Sequence, residues 1–414
     1  SSSLKAILAT LLAIAIGGCG GDIATSLRGV AATGAALANA PVFLKDAQGN
    51  EPVGQNEATG VSVVSTDAEG KFNFSASLMS GLKSPVLIKV IGRTVLDSGD
   101  DAFTSLHSIA TLNGDDINVT PLTDVATTIA LAGDPAAVFS APATSLSVID
   151  EVAISNASEV LMNSLGQNNT KLADLDVFKS SLDPTPTNDL SNPSAAKVHD
   201  MLLDSLVMVK TGTTVGLIDR NGPVEDYVSQ PAIKLSIGEA TIENVNGNIS
   251  NLDPTNVLNP TKLSAFVTRL NIAFAGSECD FSTSGAGCGT IVNDPKIFST
   301  NYKHQGMPGD VWLKKWVGEA LGIEDFAGLN VEVKTAFAGS WSIAGKQVVR
   351  VLLQWQSGDQ NNFVYRPMLL VDEDPEDPNS NVVAYGNQRD YFTWIKPTTT
   401  FNPDADNTYP FYPR

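Results

Sequence analysis

Thr66-Asp67-Ala68-Glu69-Gly70-Lys71-Phe72-Asn73-Phe74 reads as a polar turn that closes on a glycine and opens directly into a strand. Phe72 and Phe74 fall on one side of that strand, Lys71 and Asn73 on the other, which is the alternation of a half-buried β-strand. Outward from this segment, short runs of the same kind recur at Leu27–Val30, Pro41–Leu44, Val61–Val64 and Val86–Val90, separated by Gly, Asn, Asp and Ser. Together they predict a small antiparallel β-sandwich over residues 27–97.

The run Gly34-Ala35-Ala36-Leu37-Ala38-Asn39-Ala40-Pro41-Val42, taken with the turn and strand at 66–74, resembles a carboxypeptidase regulatory-like domain, a starch-binding-like sandwich. The resemblance implies an accessory module with no catalytic residues, in a family some of whose members bind glycans. No exposed aromatic platform for a sugar ring can be picked out of these residues.

Residues 98–250 read as a helical region ending in β-hairpins. Thr120-Pro121 supplies a cap and a first-turn proline, and Leu122, Val125, Ala126 and Ile129 follow at helical spacing. A second helix is predicted from Ser145 to Leu165, stopping at Gly166, and a third from Asn192-Pro193 through Val209. The Pro-rich stretch Asp183-Pro184-Thr185-Pro186 interrupts the layer. Hairpins are expected over 214–249, turning at Asn221-Gly222 and Asn246-Gly247.

Residues 251–260 look like a linker, and 261–390 like an α+β domain, with 391–414 as a C-terminal extension. The α+β part opens with a helix over Leu263–Asn271, capped by Asn259-Pro260-Thr261. A short helix at Phe298–His304, a stronger one at Val311–Val317 and five strands between Leu329 and Arg389 then follow. The opening helix, Tyr302-Lys303-His304-Gln305-Gly306 and Val383-Ala384-Tyr385-Gly386-Asn387-Gln388 resemble the cone-shaped nuclear transport factor 2-like fold. That resemblance implies a curved sheet wrapped around a pocket, with Tyr302, His304, Trp316 and Trp355 as candidate lining. The whole chain is thus expected to be a mixed, multidomain protein: sandwich, helical middle, α+β cone.

The chain starts with Lys5, an apolar stretch from Ala6 to Ile16, and then Ile16-Gly17-Gly18-Cys19. A membrane-spanning helix needs about 20 apolar residues, so this stretch reads as an export signal over 1–19, followed by a linker over 20–26. The residues before Cys19 resemble the bacterial lipobox. That implies a thiol that receives a diacylglyceryl group, and hence a cell-envelope protein anchored to a membrane through Cys19. Gly20 and Gly21 after the cysteine favour the outer membrane in that family's sorting logic.

With 45 Asp+Glu against 26 Lys+Arg, the net charge of −19 argues against nucleic acid as a partner. The other two cysteines, Cys279 and Cys288, should pair in an oxidising compartment, a short loop worth about 2.5 kcal/mol of chain entropy.

Signs of catalysis are few. His107, His199 and His304 are the three histidines, and none stands near another at metal-ligand spacing, so no metal or cofactor is called for. Asp372, Glu373, Asp374, Glu376 and Asp377, and separately Asp404, Asp406 and Asn407, have spacings that permit calcium but equally suit a solvated acidic loop. The reading is therefore a noncatalytic, lipid-anchored binding or scaffold module for a small ligand or glycan. Two rivals stand beside it: an enzyme using His304 as general base, and a structural spacer or adhesin.

Overall fold

The computed structural model describes residues 25–95, 101–112, 114, 116–142, 145–165, 170–185, 192–219, 233–238, 242–244, 258–275, 279, 288–300, 302–304, 307–336, 341–343, 346–358 and 362–386. It is a mixed α/β protein built from several small sheets and helices.

Seven strands make the N-terminal part: β1 (Leu27–Ala31), β2 (Pro41–Asp46), β3 (Val64–Ser65), β4 (Lys71–Phe74), β5 (Val86–Val95), β6 (Asp101–Ala110) and β7 (Asp116–Val119). One sheet has the order β4-β1-β7 and the other β3-β2-β5-β6. The turn at 67–70 forms as its residues dictate. Asp67 Oδ1 accepts the backbone N–H groups of Glu69 and Lys71 at 3.0 and 2.8 Å, and Gly70 sits at φ 76°. A Cβ on Gly70 would lie 2.4 Å from the Ala31 carbonyl oxygen, so both conformation and space demand glycine.

Phe72 and Phe74 then point inward, as their alternation predicts. With Leu27, Ala31, Ile117 and Val119 they share one hydrophobic cluster with Val42, Leu44, Val86, Ile88, Val90 and Leu106 of the other sheet.

The second sheet is covered on both faces. Phe43, Leu87 and Ile109, which point away from that cluster, join a second one with the helices that follow. This explains why Val86-Leu87-Ile88 is continuously apolar: a strand buried on both faces has no polar side to show. It also explains why residue 97 marks no end of the sheets. β6 pairs with β5 from Val86↔Ala110 to Val95↔Asp101, and β7 pairs in parallel with β1. The predicted strand at Val61–Val64 contracts to Val64–Ser65, because Val61 forms a bridge with Asn56 around the short 3-10 turn Glu57–Thr59.

The helices are α1 (Pro121–Leu131), α2 (Pro135–Ser140), α3 (Glu151–Leu165) and α4 (Ala195–Ser205). Thr120 caps α1 through a reciprocal pair with Thr123, with Pro121 in the first turn. The predicted helix from Ser145 is broken: Leu146–Val148 make a 3-10 turn, Ile149 is extended, and α3 starts where the Asp150 carboxylate accepts the Ala153 N–H at 2.8 Å.

α4 likewise ends at Ser205, short of Val209, because Leu206 is extended and opens β8 (Leu206–Thr211). β8 returns as β9 (Thr214–Asp219) through a turn at Gly212, and β10 (Ile233–Ser236) and β11 (Ile242–Asn244) complete the order β11-β10-β9-β8. The pairing Val207↔Ile218 and Val209↔Gly216 satisfies a run whose β-branched residues suit a strand as well as a helix. The expected turns at Asn221-Gly222 and Asn246-Gly247 lie outside the described residues.

The C-terminal part has its own core. α5 (Pro260–Ala275) is capped by Asn259, whose Oδ1 accepts the Thr261 N–H at 2.9 Å, and α6 (Gly289–Val292) follows the cysteines. The short helix expected at Phe298–His304 does not form. Phe298 instead bridges Ala384, and β12 (Lys303–His304) pairs with β13 (Met307–Pro308). Next come α7 (Gly309–Trp312), a π-helical segment (Leu313–Gly318) and α8 (Glu319–Leu321).

Strands β14 (Asn330–Ala336), β16 (Lys346–Gln356), β17 (Phe363–Asp372) and β18 (Val382–Ala384) form one antiparallel sheet in that order, with β15 (Trp341–Ile343) paired to β16. β18 ends at Ala384, and just beyond it the Leu369 N–H of β17 donates to the Gly386 carbonyl at 2.7 Å; residues 387–389 of the expected run lie outside the described residues.

Candidate functional site

The candidate lining residues of the C-terminal part come together in its core. Tyr302, His304 and Trp355 are all at most 5% exposed, and Trp316 is half-buried beside them. The His304 ring stacks on Trp312 with centroids 3.9 Å apart and planes 6° from parallel. Trp312 meets Trp355 edge to face at 5.9 Å, and Trp355 meets Phe274 in the same way.

His304 Nδ1 shares a 2.8 Å hydrogen bond with the Tyr302 hydroxyl, not with a carboxylate. Burial pushes its pKa well below the ordinary histidine value, and the nearby Arg366 cation pushes it the same way. The imidazole is accordingly neutral and packed among aromatic rings. Each of the buried indole N–H groups of Trp316 and Trp355 has no acceptor among the described residues.

Arg366 explains the π-helical segment. Its Nε donates to the Trp316 carbonyl at 2.7 Å while its guanidinium lies 5.6 Å from the centre of the Trp316 ring. A π-turn frees a carbonyl from the helical ladder, and here a side chain takes it up.

Cys279 and Cys288 form a disulfide, with Cα atoms 4.2 Å apart, and both are fully buried in this core. The Cys279 carbonyl accepts the Phe326 N–H at 3.0 Å, so the bridge also ties the helix-to-strand connection in place. Cys19, the candidate lipidation site, lies outside the described residues, as do Asp404, Asp406 and Asn407.

The other acidic cluster is organised around a cation of the chain itself. Asp372 is 1% exposed, and the ammonium of Lys262 sits 2.6 Å from its Oδ2, 2.9 Å from Ser380 Oγ and 3.1 Å from the Asp374 carbonyl. Lys262 fills the place among converging oxygens that a metal would need. Among the described residues, no group of three or more His, Cys, Asp or Glu side chains could hold a metal ion.

A second buried polar group was not singled out from the sequence. Asp124 of α1, fully buried, receives Lys210 Nζ at 2.9 Å and faces His107 Nδ1 at 3.3 Å. Burial tends to raise the Asp124 pKa, but His107 and Lys210 more than reverse this and hold the carboxyl below its usual range. It joins the second sheet, α1 and β8 into one layer. His107 stood as a lone histidine, and only pairing of β6 with β5 turns it toward α1.

A concave surface lies elsewhere, on the N-terminal part. A cleft of about 820 Å³ lies where β3, the edge of one sheet, approaches β4, the edge of the other, and its floor is the outer face of β4-β1-β7. Pairing Arg28↔Asn73 and Arg28↔Asp116 puts these three side chains in a row across that face, and Val30↔Lys71 and Val30↔Asn118 make the next row. The loop from Lys179 to Leu182 closes the far wall. Asn118 holds that loop: its Nδ2 donates to the Val177 carbonyl at 3.2 Å and to the Ser180 carbonyl at 2.7 Å.

Gly29 is required beneath the floor, since a Cβ there would lie 2.5 Å from the Phe72 ring and 2.0 Å from the Ile117 carbonyl oxygen. Lys71 and Asn73, alternating with the buried Phe72 and Phe74, supply the polar side of that floor. No protein-family model, no curated protein and no solved structure matches this chain.

Proposed function

We propose that the protein is a noncatalytic, lipid-anchored component of the cell envelope, tethered through Cys19 to the outer membrane, that serves as a binding or scaffold module for a small ligand or glycan. The observation that carries the binding role is the cleft between β3 and β4, a concave surface of mixed polar and apolar lining on the face of a sheet. Two sheets sharing one core fit the β-sandwich that the resemblance implies, and α5 packed with the sheet β14 to β18 fits a cone with a filled interior. A noncatalytic role is supported by His304, whose neutral ring is stacked in the core and partnered by a hydroxyl.

For the C-terminal part a second reading, that of a structural spacer, is favoured by the aromatic packing of Tyr302, Trp312 and Trp355. The anchor is tested by labelling cells with an alkyne fatty acid and fractionating their membranes. Wild-type protein should carry the label and sediment with the envelope, and Cys19→Ala should do neither. An unlabelled, cytosolic wild-type protein would overturn the assignment. Binding is tested separately by isothermal titration of the full chain with neutral and acidic oligosaccharides, and no binding of any would remove the cleft as support for this role.

A further inference from the structure

We infer that one end of the N-terminal sheets, formed by residues 75–84 and Leu112, rests on the lipid headgroups of the membrane. This depends on the Cys19 anchor proposed above and adds which surface of the fold meets the bilayer.

The first argument is the length of the tether. Six peptide steps lead from Cys19 to Thr25. A chain extends by at most about 3.6 Å per residue, so Thr25 stays within about 20 Å of an acylated Cys19 whatever path the intervening residues take. Thr25 is itself fixed to the fold. Its hydroxyl donates to the Leu112 carbonyl at 2.9 Å, and β1 starts two residues later with Leu27 buried.

Strand pairing identifies the place so held. Leu27 lies opposite Phe74, so β4 runs out at the end where β1 begins. Ser84 accepts the Leu112 N–H at 3.3 Å, which brings the far side of the connection from β4 to β5 to the same end. The turn at 67–70 occupies the opposite end, because Ala31, the last residue of β1, donates its N–H to the Gly70 carbonyl.

The second argument is charge. Anionic headgroups attract lysine and repel carboxylates, and this chain carries a net −19. Residues 75–84 nevertheless contain one charged side chain, the exposed Lys83, among the exposed Ser75, Ser77 and Ser80. Half-buried Leu78 and Leu112 add apolar surface beside them. The carboxylates close by are occupied: Asp46, which accepts the Lys83 backbone N–H at 3.2 Å, is buried, and Asp116 is paired with Arg28 at 3.0 Å. The opposite end is the reverse, with Asp67 and Glu69 both exposed. The two ends thus differ in the direction that a negatively charged surface selects.

The test uses the full acylated chain in vesicles of phosphatidylethanolamine and phosphatidylglycerol, with and without a nickel-chelating lipid. A nitroxide is attached to Ser77→Cys, to Ser80→Cys or to Glu69→Cys in separate proteins. Cys19 carries lipid and Cys279 is paired with Cys288, so the introduced thiol takes the label. The native side chains at all three positions are exposed, so the variants should fold, which circular dichroism checks. Nickel in the headgroup layer should speed nitroxide relaxation several-fold at Ser77 and Ser80 and leave it nearly unchanged at Glu69.

Equal relaxation at all three positions, in protein whose intact mass includes its fatty acids, would overturn this inference and leave the anchor standing. Faster relaxation at Glu69 would put the opposite end on the bilayer and overturn it too. Protein that carries no fatty acid would overturn the anchor and this inference together.

Discussion

Lys262 and Asp372, 110 positions apart, meet at 2.6 Å and join the first turn of α5 to the last residue of β17. Both are buried, and Ser380 donates its hydroxyl to the other carboxylate oxygen at 2.8 Å, so the whole connection from β17 to β18 is organised by one ion pair. Removing one partner strands the other charge in the interior. Lys262→Met should cost about 3–5 kcal/mol of stability. The double variant Lys262→Met/Asp372→Leu should recover much of it, since neither then leaves a lone charge. Chemical denaturation of the three proteins at neutral pH measures this, and a double variant no more stable than the single one would contradict it.

The buried histidines predict acid sensitivity. Burial, the largest influence, pulls the His199 pKa from 6.5 to about 4, and His304 is lowered for the same reason. Both are neutral when folded, while in the unfolded chain they take up a proton near pH 6.5. The unfolded state therefore binds more protons below that pH, and stability falls as pH drops from about 6.5 toward about 4. By pH 4.5 His199 alone should account for a loss of roughly 2–3 kcal/mol. In His199→Phe the drop in urea midpoint between pH 7 and pH 4.5 should shrink; an unchanged drop would assign the sensitivity elsewhere.

Gly70 and Gly60 offer a matched pair. Both have positive φ, 76° and 74°, but a Cβ meets the Ala31 carbonyl only at Gly70, while Gly60 faces open space. Gly60→Ala should cost about 1 kcal/mol, the price of the left-handed backbone alone. Gly70→Ala should cost clearly more, about 2–3 kcal/mol, because β1 and β4 have to separate. Equal melting temperatures for the two variants would show that the turn relaxes.

Thr120 caps α1 from within the core, with its hydroxyl oxygen accepting the Thr123 N–H at 3.2 Å. Thr120→Ala should destabilise by about 1–2 kcal/mol, and Thr120→Ser by much less, because serine keeps the acceptor. Thermal melts of the two variants distinguish loss of the cap from loss of the methyl group.

Local signals were legible wherever one segment makes its own structure. Asp67 and Gly70 specify their turn by side-chain acceptor and backbone freedom, Thr120-Pro121 specifies a helix start, and Asn259 caps α5. Cys279 and Cys288 are close enough in sequence that their pairing needed no long-range information. Segments with two compatible conformations were harder. Leu206–Val209 continues the apolar period of α4, and only the partner strand β9 draws it out of the helix.

By itself, the amino-acid sequence determined the turns, caps, strand alternation and acidic balance of this protein. These depend on neighbouring residues and on summed charge, which folding does not alter. Tertiary structure alone decided that the second sheet is buried on both faces, that Lys262 fills the acidic cluster, that His304 lies in an aromatic stack, and that Lys71 overlooks a cleft. Each of these sets side chains from distant parts of the chain against one another, and the energy that selects such contacts exists only once packing has excluded water.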